Sequence, residues 1–514
     1  MKIKSTIIAI VFGASFMLLG AGCKKDPKPK VNRDALTKDS IFLYAKEVYY
    51  WNEALPEYAS FNPRGFSSFE QELYAITQYP VNPVTGKSYE YIESYPGESK
   101  YSFIDDGSVS SELGGVGGDY GFSVNYNTQS DLRVKYVYAG SPAAAAGLER
   151  SDRIIELNGR TSLDATNDAD LDFVNNAIFG GEKAVSMKIR KADGSTKDVT
   201  VNSGTYDLDP ILYTHIYTEG NKKVGYIVFN QFTYNDQVYA DLKETINSFS
   251  TAGVSELIVD LRYNGGGSVQ TAADFANLIV PAAQNGKVMF TTYYNQTLQN
   301  LKTQQQRKSS ILVNQPLTDQ NNKLQYSSDA ANGKYYTYAD IGFAPTKADY
   351  NVEVFKKDGS LNVSTVYFIV TGSTASASEL LINSLKPAVN VKLIGKKTYG
   401  KPVGFFAIHI DKYDMYIPEF ETKNQQEVGG YYTGMAVDKE GYEDLSKKFG
   451  DPSEVYLSYA LNHAANGTFS VSNPSISAIS STKFKSSSAG QKITAEFGNI
   501  EFKGMISVPK NPHK

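Results

Sequence analysis

Two apolar runs that break into turns of small residues constrain this chain most. Val366-Tyr367-Phe368-Ile369-Val370 leads into Gly372-Ser373-Thr374-Ala375-Ser376-Ala377-Ser378-Glu379, after which Leu380, Leu381 and Leu385 recur at helical spacing. The pattern predicts a strand, a tight turn and a helix. Such a turn exposes its side chain at the strand's carboxyl end and aims the first helical N–H groups at the same spot, where a developing oxyanion is stabilised. A second run, Leu257-Ile258-Val259-Asp260-Leu261, leads into Arg262-Tyr263-Asn264-Gly265-Gly266-Gly267, whose glycines let the main chain approach a ligand closely.

The candidate chemistry follows from what these turns carry. Ser376 offers a hydroxyl, and Lys401 in Thr398-Tyr399-Gly400-Lys401 offers an amine, a nucleophile and base that need no histidine. The expected oxyanion donors are the backbone N–H groups of Ala377 and Gly266. A free lysine titrates near ~10.4 and a useful base falls towards roughly 7–8, so Lys401 must be buried to serve. Ser373 and Ser378 are expected to hydrogen-bond the turn, and Glu379 to complement the dipole of the helix's first turn.

These two motifs resemble those of the C-terminal processing peptidases, serine proteases of the tail-specific type with a Ser/Lys dyad. Ser-Thr-Ala-Ser-Ala-Ser-Glu, Gly400-Lys401 and Asp260-Leu261-Arg262-Tyr263-Asn264-Gly265-Gly266-Gly267 stand in that family's order, and the likeness runs from about Gly114 to about Ala464. The resemblance implies Ser376 as nucleophile and Lys401 as general base. One departure stands out, because many members place a glutamine four residues after the lysine and this chain has Phe405. Another residue must then hold Lys401. A peptide-binding protein of the same fold that has lost turnover, and an esterase on the same dyad, stay open at this point.

Residues 111–205 resemble a PDZ domain, which adds an extended peptide to a sheet edge and captures its carboxylate on backbone N–H groups. Tyr120, Gly121 and Phe122 stand for the peptide-binding loop, followed by Gly140-Ser141-Pro142-Ala143 and Asp152-Arg153-Ile154-Ile155. Asp168, Asp170 and Asp172 alternate as in a calcium loop, but Phe173 and Phe179 fall where glycine and glutamate are required, so a helix's first turn is expected. No zinc motif, Walker loop or Gly-x-Ser-x-Gly elbow occurs. No metal or cofactor is expected, and His409 is expected to be an ordinary strand residue.

The whole reads as an α/β and α+β multidomain chain with an N-terminal helical region, a PDZ-like β-rich domain and an α/β Ser/Lys protease core. The expected divisions are a signal peptide at 1–22, a lipidated leash at 23–37, helices at 38–110, the PDZ-like domain at 111–205, the core at 206–468 with an insertion at 286–361, and a tail at 469–514. The basic start Met1-Lys2-Ile3-Lys4, the apolar stretch from Ile7 to Leu19 and Leu19-Gly20-Ala21-Gly22-Cys23 have the layout of a secretory signal. Cys23, the single cysteine, resembles the acylated cysteine of bacterial lipoproteins, which implies an extracytoplasmic, membrane-anchored protein of the cell envelope. It excludes an intrachain disulfide. A net charge of −4 argues against a nucleic-acid partner, and the expected partners are protein or peptide substrates bound by their C-terminal ends. The polar stretch 286–361 is expected to be a lid, a substrate wall or a surface excursion, and the tail is expected to hold short strands around Phe497, Ile500, Phe502 and Ile506.

Overall fold

The computed structural model describes residues 32–93, 95–318, 323–471, 483–485 and 504–507. The signal and lipidation features, Cys23 included, and most of the tail lie outside the described residues.

The first helix spans Arg33–Val48, and the Asn32 side chain accepts the Ala35 N–H at its start. Residues 33–37, assigned above to the leash, are therefore helix. Trp51 falls beyond the helix and stacks on Tyr89, with ring centroids 4.3 Å apart. Ser68 caps a second helix, Phe69–Thr77, by accepting the Gln71 N–H.

Glu72 in this helix carries a specific thermodynamic consequence. It is 0 % exposed and neither carboxyl oxygen has a hydrogen-bond partner. Burial pushes its carboxyl up to about 9. Between the ordinary carboxylate value and about 9 the folded chain then holds a proton that the unfolded chain has released, so stability falls as pH rises through that window. Glu72→Gln is expected to raise the unfolding free energy at pH 7 by up to about 3 kcal/mol and to leave it unchanged near pH 4, read by urea denaturation at both values.

The PDZ-like domain is an antiparallel sheet of Phe122–Tyr126, Leu132–Val137, Arg153–Leu157, Ala184–Arg190 and Thr196–Asn202 around its own apolar core. Its helix Asp168–Phe179 is capped by Asn167, with Asp168 and Asp170 in the first turn. Asp170 is bonded to Arg160, Ser162 and the Asp164 N–H.

The core is a six-stranded sheet in the order Lys439–Glu440, Asn390–Gly395, Thr365–Val370, Glu256–Asp260, Lys222–Phe229 and Ile211–Glu219. All are parallel except the last. Continuous apolar runs suit strands covered on both faces. Leu257, Val259, Val366 and Phe368 join the side packed by helices Asp236–Thr251, Val269–Ile279 and Ala377–Leu385. Ile258, Tyr367 and Ile369 join the side packed by helix Val455–Asn466.

The stretch 286–361 is no surface excursion. Val288–Tyr294 pairs with Phe420–Asn424, and Leu298, Leu312, Ala339 and Phe355 are buried in the main core. Gln315 Nε2 donates to Tyr44 Oη at 2.8 Å and His409 O at 2.9 Å, fastening the stretch to the N-terminal helix.

Candidate active site

Neighbouring parallel strands deliver their following loops side by side at the carboxyl edge of a sheet. Here Asp260 stands opposite Ile369, so the Arg262–Gly267 loop and the Ser376 turn emerge together. Asn264 stitches them: its carbonyl accepts from Ala375 N at 3.1 Å and from Ser378 Oγ at 3.1 Å, while its Nδ2 donates to Phe229 O at 2.9 Å. Thr374 Oγ1 adds a bond to Leu261 O at 2.7 Å.

Ser376 precedes helix Ala377–Leu385 with φ +64° and ψ −113°. This backbone is uncommon for a residue with a side chain and stores about 1–3 kcal/mol, a cost found chiefly at functional sites. The residue is fully buried and its Oγ has no hydrogen-bond partner. Ala377 N–H is the first amide of the helix, one that no intrahelical carbonyl can satisfy.

Glu379 does much more than complement a dipole. Its Oε2 accepts from Ser376 N at 2.9 Å and from Lys401 N at 2.8 Å, and its Oε1 accepts from Gly400 N at 2.8 Å and Thr398 Oγ1 at 2.5 Å. One carboxyl oxygen thus holds the amides of both candidate residues. Burial raises the Glu379 carboxyl, and these four donors pull it back.

Lys401 is fully buried, its Nζ lying 3.8 Å from the Phe405 ring centroid and 5.7 Å from that of Tyr101. Glu419, also fully buried, accepts the Phe406 N–H at 3.0 Å through Oε2, and its Oε1 has no hydrogen-bond partner. Burial raises this carboxyl well above the usual range, against the pull of the Phe406 N–H and the Lys401 charge. The Lys401 loop is also braced from the N-terminal region. Tyr101 Oη and Lys100 Nζ donate to Gly400 O at 2.6 and 3.2 Å, and burial lowers the Lys100 amine to about 8.

Gly266 needs correction. Its N–H donates to Asn264 Oδ1 at 2.8 Å, so it is not a spare oxyanion donor. Its position is nonetheless tight: at φ +109°, a Cβ there would lie 2.9 Å from both Ser376 Cβ and Ala377 N and collide with Gly504 O. Only glycine fits.

Arg262, in the same loop, is 1 % exposed and pairs with Asp260, Glu443 and Glu454. Glu443 also meets Arg150 of the PDZ-like domain at 2.8 Å, and Arg150 Nη1 donates to Tyr263 Oη at 2.6 Å. Burial works against ionising Glu443, yet the two guanidiniums hold it down to about 2.

In the loop expected to bind peptide, Tyr120 and Phe122 are buried, and Gly121 N–H donates to Asp119 Oδ1 at 2.8 Å. That amide is therefore not spare for a ligand carboxylate. Tyr120 and Phe122 line a cavity of about 300 Å³ that also reaches Ile178, Tyr263, Gly265 and Gly266. It joins the PDZ-like groove to the glycine loop. His409 sits apart, exposed and paired with Asp414 at 3.0 Å.

Sequence reasoning missed the roles of Glu379, Asn264, Glu419 and the Lys100–Tyr101 brace. Only Glu379 had a local signal, three residues after a serine at a helix start.

Residues 223–419 match "Peptidase family S41" and residues 133–171 match "PDZ domain". The chain is 28 % identical over 308 residues to a carboxyl-terminal-processing protease of Picosynechococcus, covering 57 % of this chain and 56 % of that protein. It is 24 % identical over 267 residues to the carboxy-terminal processing protease CtpA of Bacillus subtilis, covering 51 % and 42 %. The match thus spans about half the length of these relatives. A crystal structure of a Bacteroides fragilis protein assigned to the S41 proteases shares the fold, with a TM-score of 0.56 at 23 % identity, over 86 % of this chain and 99 % of that one. The chain thus holds a stretch similar to peptidase family S41 over residues 223–419 and, ahead of it, one similar to a PDZ domain over residues 133–171.

Proposed function

We propose that this chain is a serine endopeptidase that cleaves unstructured or C-terminal segments of proteins through a Ser376/Lys401 dyad. The observation that carries the reading is the single Glu379 oxygen that receives both the Ser376 and the Lys401 amide. Neutral Lys401 takes the Ser376 proton as Oγ attacks the scissile carbonyl, Ala377 N–H stabilises the oxyanion, the protonated amine passes its proton to the leaving nitrogen, and water resolves the acyl-enzyme. The PDZ domain supplies the substrate end through the cavity that reaches Gly265 and Gly266. Acylation at Cys23 would tether the enzyme outside the cytoplasm. Among the described residues no helix is long and apolar enough to cross a membrane.

Digestion of an unfolded protein by wild type and Ser376→Ala, with mass spectrometry of the fragments, tests this. Wild type is expected to produce fragments and the variant none; equal digestion by both would sink the dyad.

One observation favours a competing reading, a peptide binder without turnover. The Phe405 ring face under Lys401 Nζ stabilises the charged amine, which cannot act as a base. Labelling by a fluorophosphonate separates the two: rising reaction at Ser376 towards pH 10 supports the peptidase, and no reaction at any pH supports the binder.

A further inference from the structure

A short strand, Gly504–Ile506, lies between the glycine strand Gly266–Ser268 and the segment Val403–Phe405 that follows Lys401. It runs parallel to the glycine strand, with Gly504 opposite Gly266 and Met505 opposite Gly267. Its main chain is bonded on both sides. Gly504 N–H donates to Gly265 O at 3.1 Å, Phe405 N–H to Met505 O at 2.9 Å, and Ser507 N–H to Phe405 O at 3.0 Å. Met505 is 0 % exposed and sits in the main core. Gly504 O, Ser376 Cβ and Ala377 N all crowd the point where a Cβ on Gly266 would stand. A main-chain carbonyl of the chain itself therefore stands beside the nucleophile and the first amide of its helix.

An extended segment held by main-chain bonds, with one side chain in a closed pocket, is how a strand-adding site recognises a peptide. We infer that the groove between Gly265–Ser268 and Val403–Phe405 is where the substrate strand lies, and that Gly504–Ser507 occupies it in cis as the chain's own inhibitor. The inference rests on the reading of Ser376 as nucleophile. It also states a preference: an extended peptide with glycine facing Gly266, followed by an unbranched apolar residue of methionine's size. A tethered occupant competes at an effective concentration on the order of millimolar. A free peptide competes poorly against that, whereas a substrate already held by the PDZ domain is tethered too. The groove would then open to delivered substrates and stay closed to passing ones.

The test uses the full chain with Met505→Asp and the milder Met505→Ala. Two readouts are taken: the rate at which a small fluorophosphonate labels Ser376, and the anisotropy of a fluorescent synthetic peptide spanning residues 500–510. Met505→Asp is expected to label at least ~10-fold faster than wild type and to bind the peptide, which wild type does not, and unlabelled peptide slows the labelling again. Met505→Ala shows the same changes at smaller size, and carries the test if the aspartate variant lacks a cooperative melt. Wild-type labelling rates with no peptide binding, in variants that melt as wild type does, would overturn the inference. If no chain labels but Met505→Asp alone binds the peptide, the groove stands and the nucleophile does not.

Discussion

Lys401→Met is expected to lower turnover of an unfolded protein by at least about 10³-fold while leaving the chain as stable as wild type or more so. The loss follows from chemistry: a thioether takes no proton, and the described histidines are engaged elsewhere, His409 with Asp414, His463 with Tyr367, and His215 exposed on the edge strand against the Tyr217 ring. The stability follows from burial. Lys401 is fully buried, so its amine carries a desolvation cost that methionine, of similar length, removes. Turnover at pH 7 and pH 10 together with a thermal melt gives both answers. Recovery of the variant at pH 10 would show that a base other than residue 401 serves Ser376.

Glu379→Ala is expected to damage fold and activity together. It strands three backbone N–H groups, those of Ser376, Gly400 and Lys401, and the Thr398 hydroxyl inside the protein. An unsatisfied buried donor costs about 1–3 kcal/mol, so a total loss of roughly 4 kcal/mol or more is expected in urea denaturation. Turnover should fall by at least about 10²-fold even in the fraction that stays folded, because the turn and the Lys401 loop lose their common anchor. Glu379→Gln recovers only part of this, since its amide nitrogen would face N–H donors. If Glu379→Ala kept wild-type turnover, the anchoring role would be wrong.

Much of this arrangement was legible in the sequence, for identifiable reasons. The Leu257 and Val366 runs are long, β-branched and unbroken, and Asn264-Gly265-Gly266-Gly267 and Ala375-Ser376-Ala377 sit where each strand must turn. The helical N-terminal region and the PDZ domain were legible from cap residues and turn motifs. Local pattern could not reveal contacts made across long stretches of chain. Glu419 reads as one acid in an ordinary strand flank, and Lys100 as a solvated charge; only the packing of distant segments buries Glu419 and half-buries Lys100 beside the Lys401 loop. Gly266 was placed correctly and assigned the wrong task, because the Asn264 side chain that takes its N–H is invisible to spacing. Ile506 was expected in a tail strand, but nothing local said that the strand would lie beside the glycine loop.

Arg150 has a consequence for anyone who would redirect this protein by exchanging its recognition module. The residue belongs to the PDZ domain, yet its guanidinium completes the charge balance of Glu443 and Arg262 beneath the glycine loop. A transplanted module lacking an arginine there would leave a carboxylate short of one partner in the interior, a defect costing several kcal/mol. Retargeting therefore has to proceed by editing the lining of the existing module, with its seam to the peptidase core kept intact.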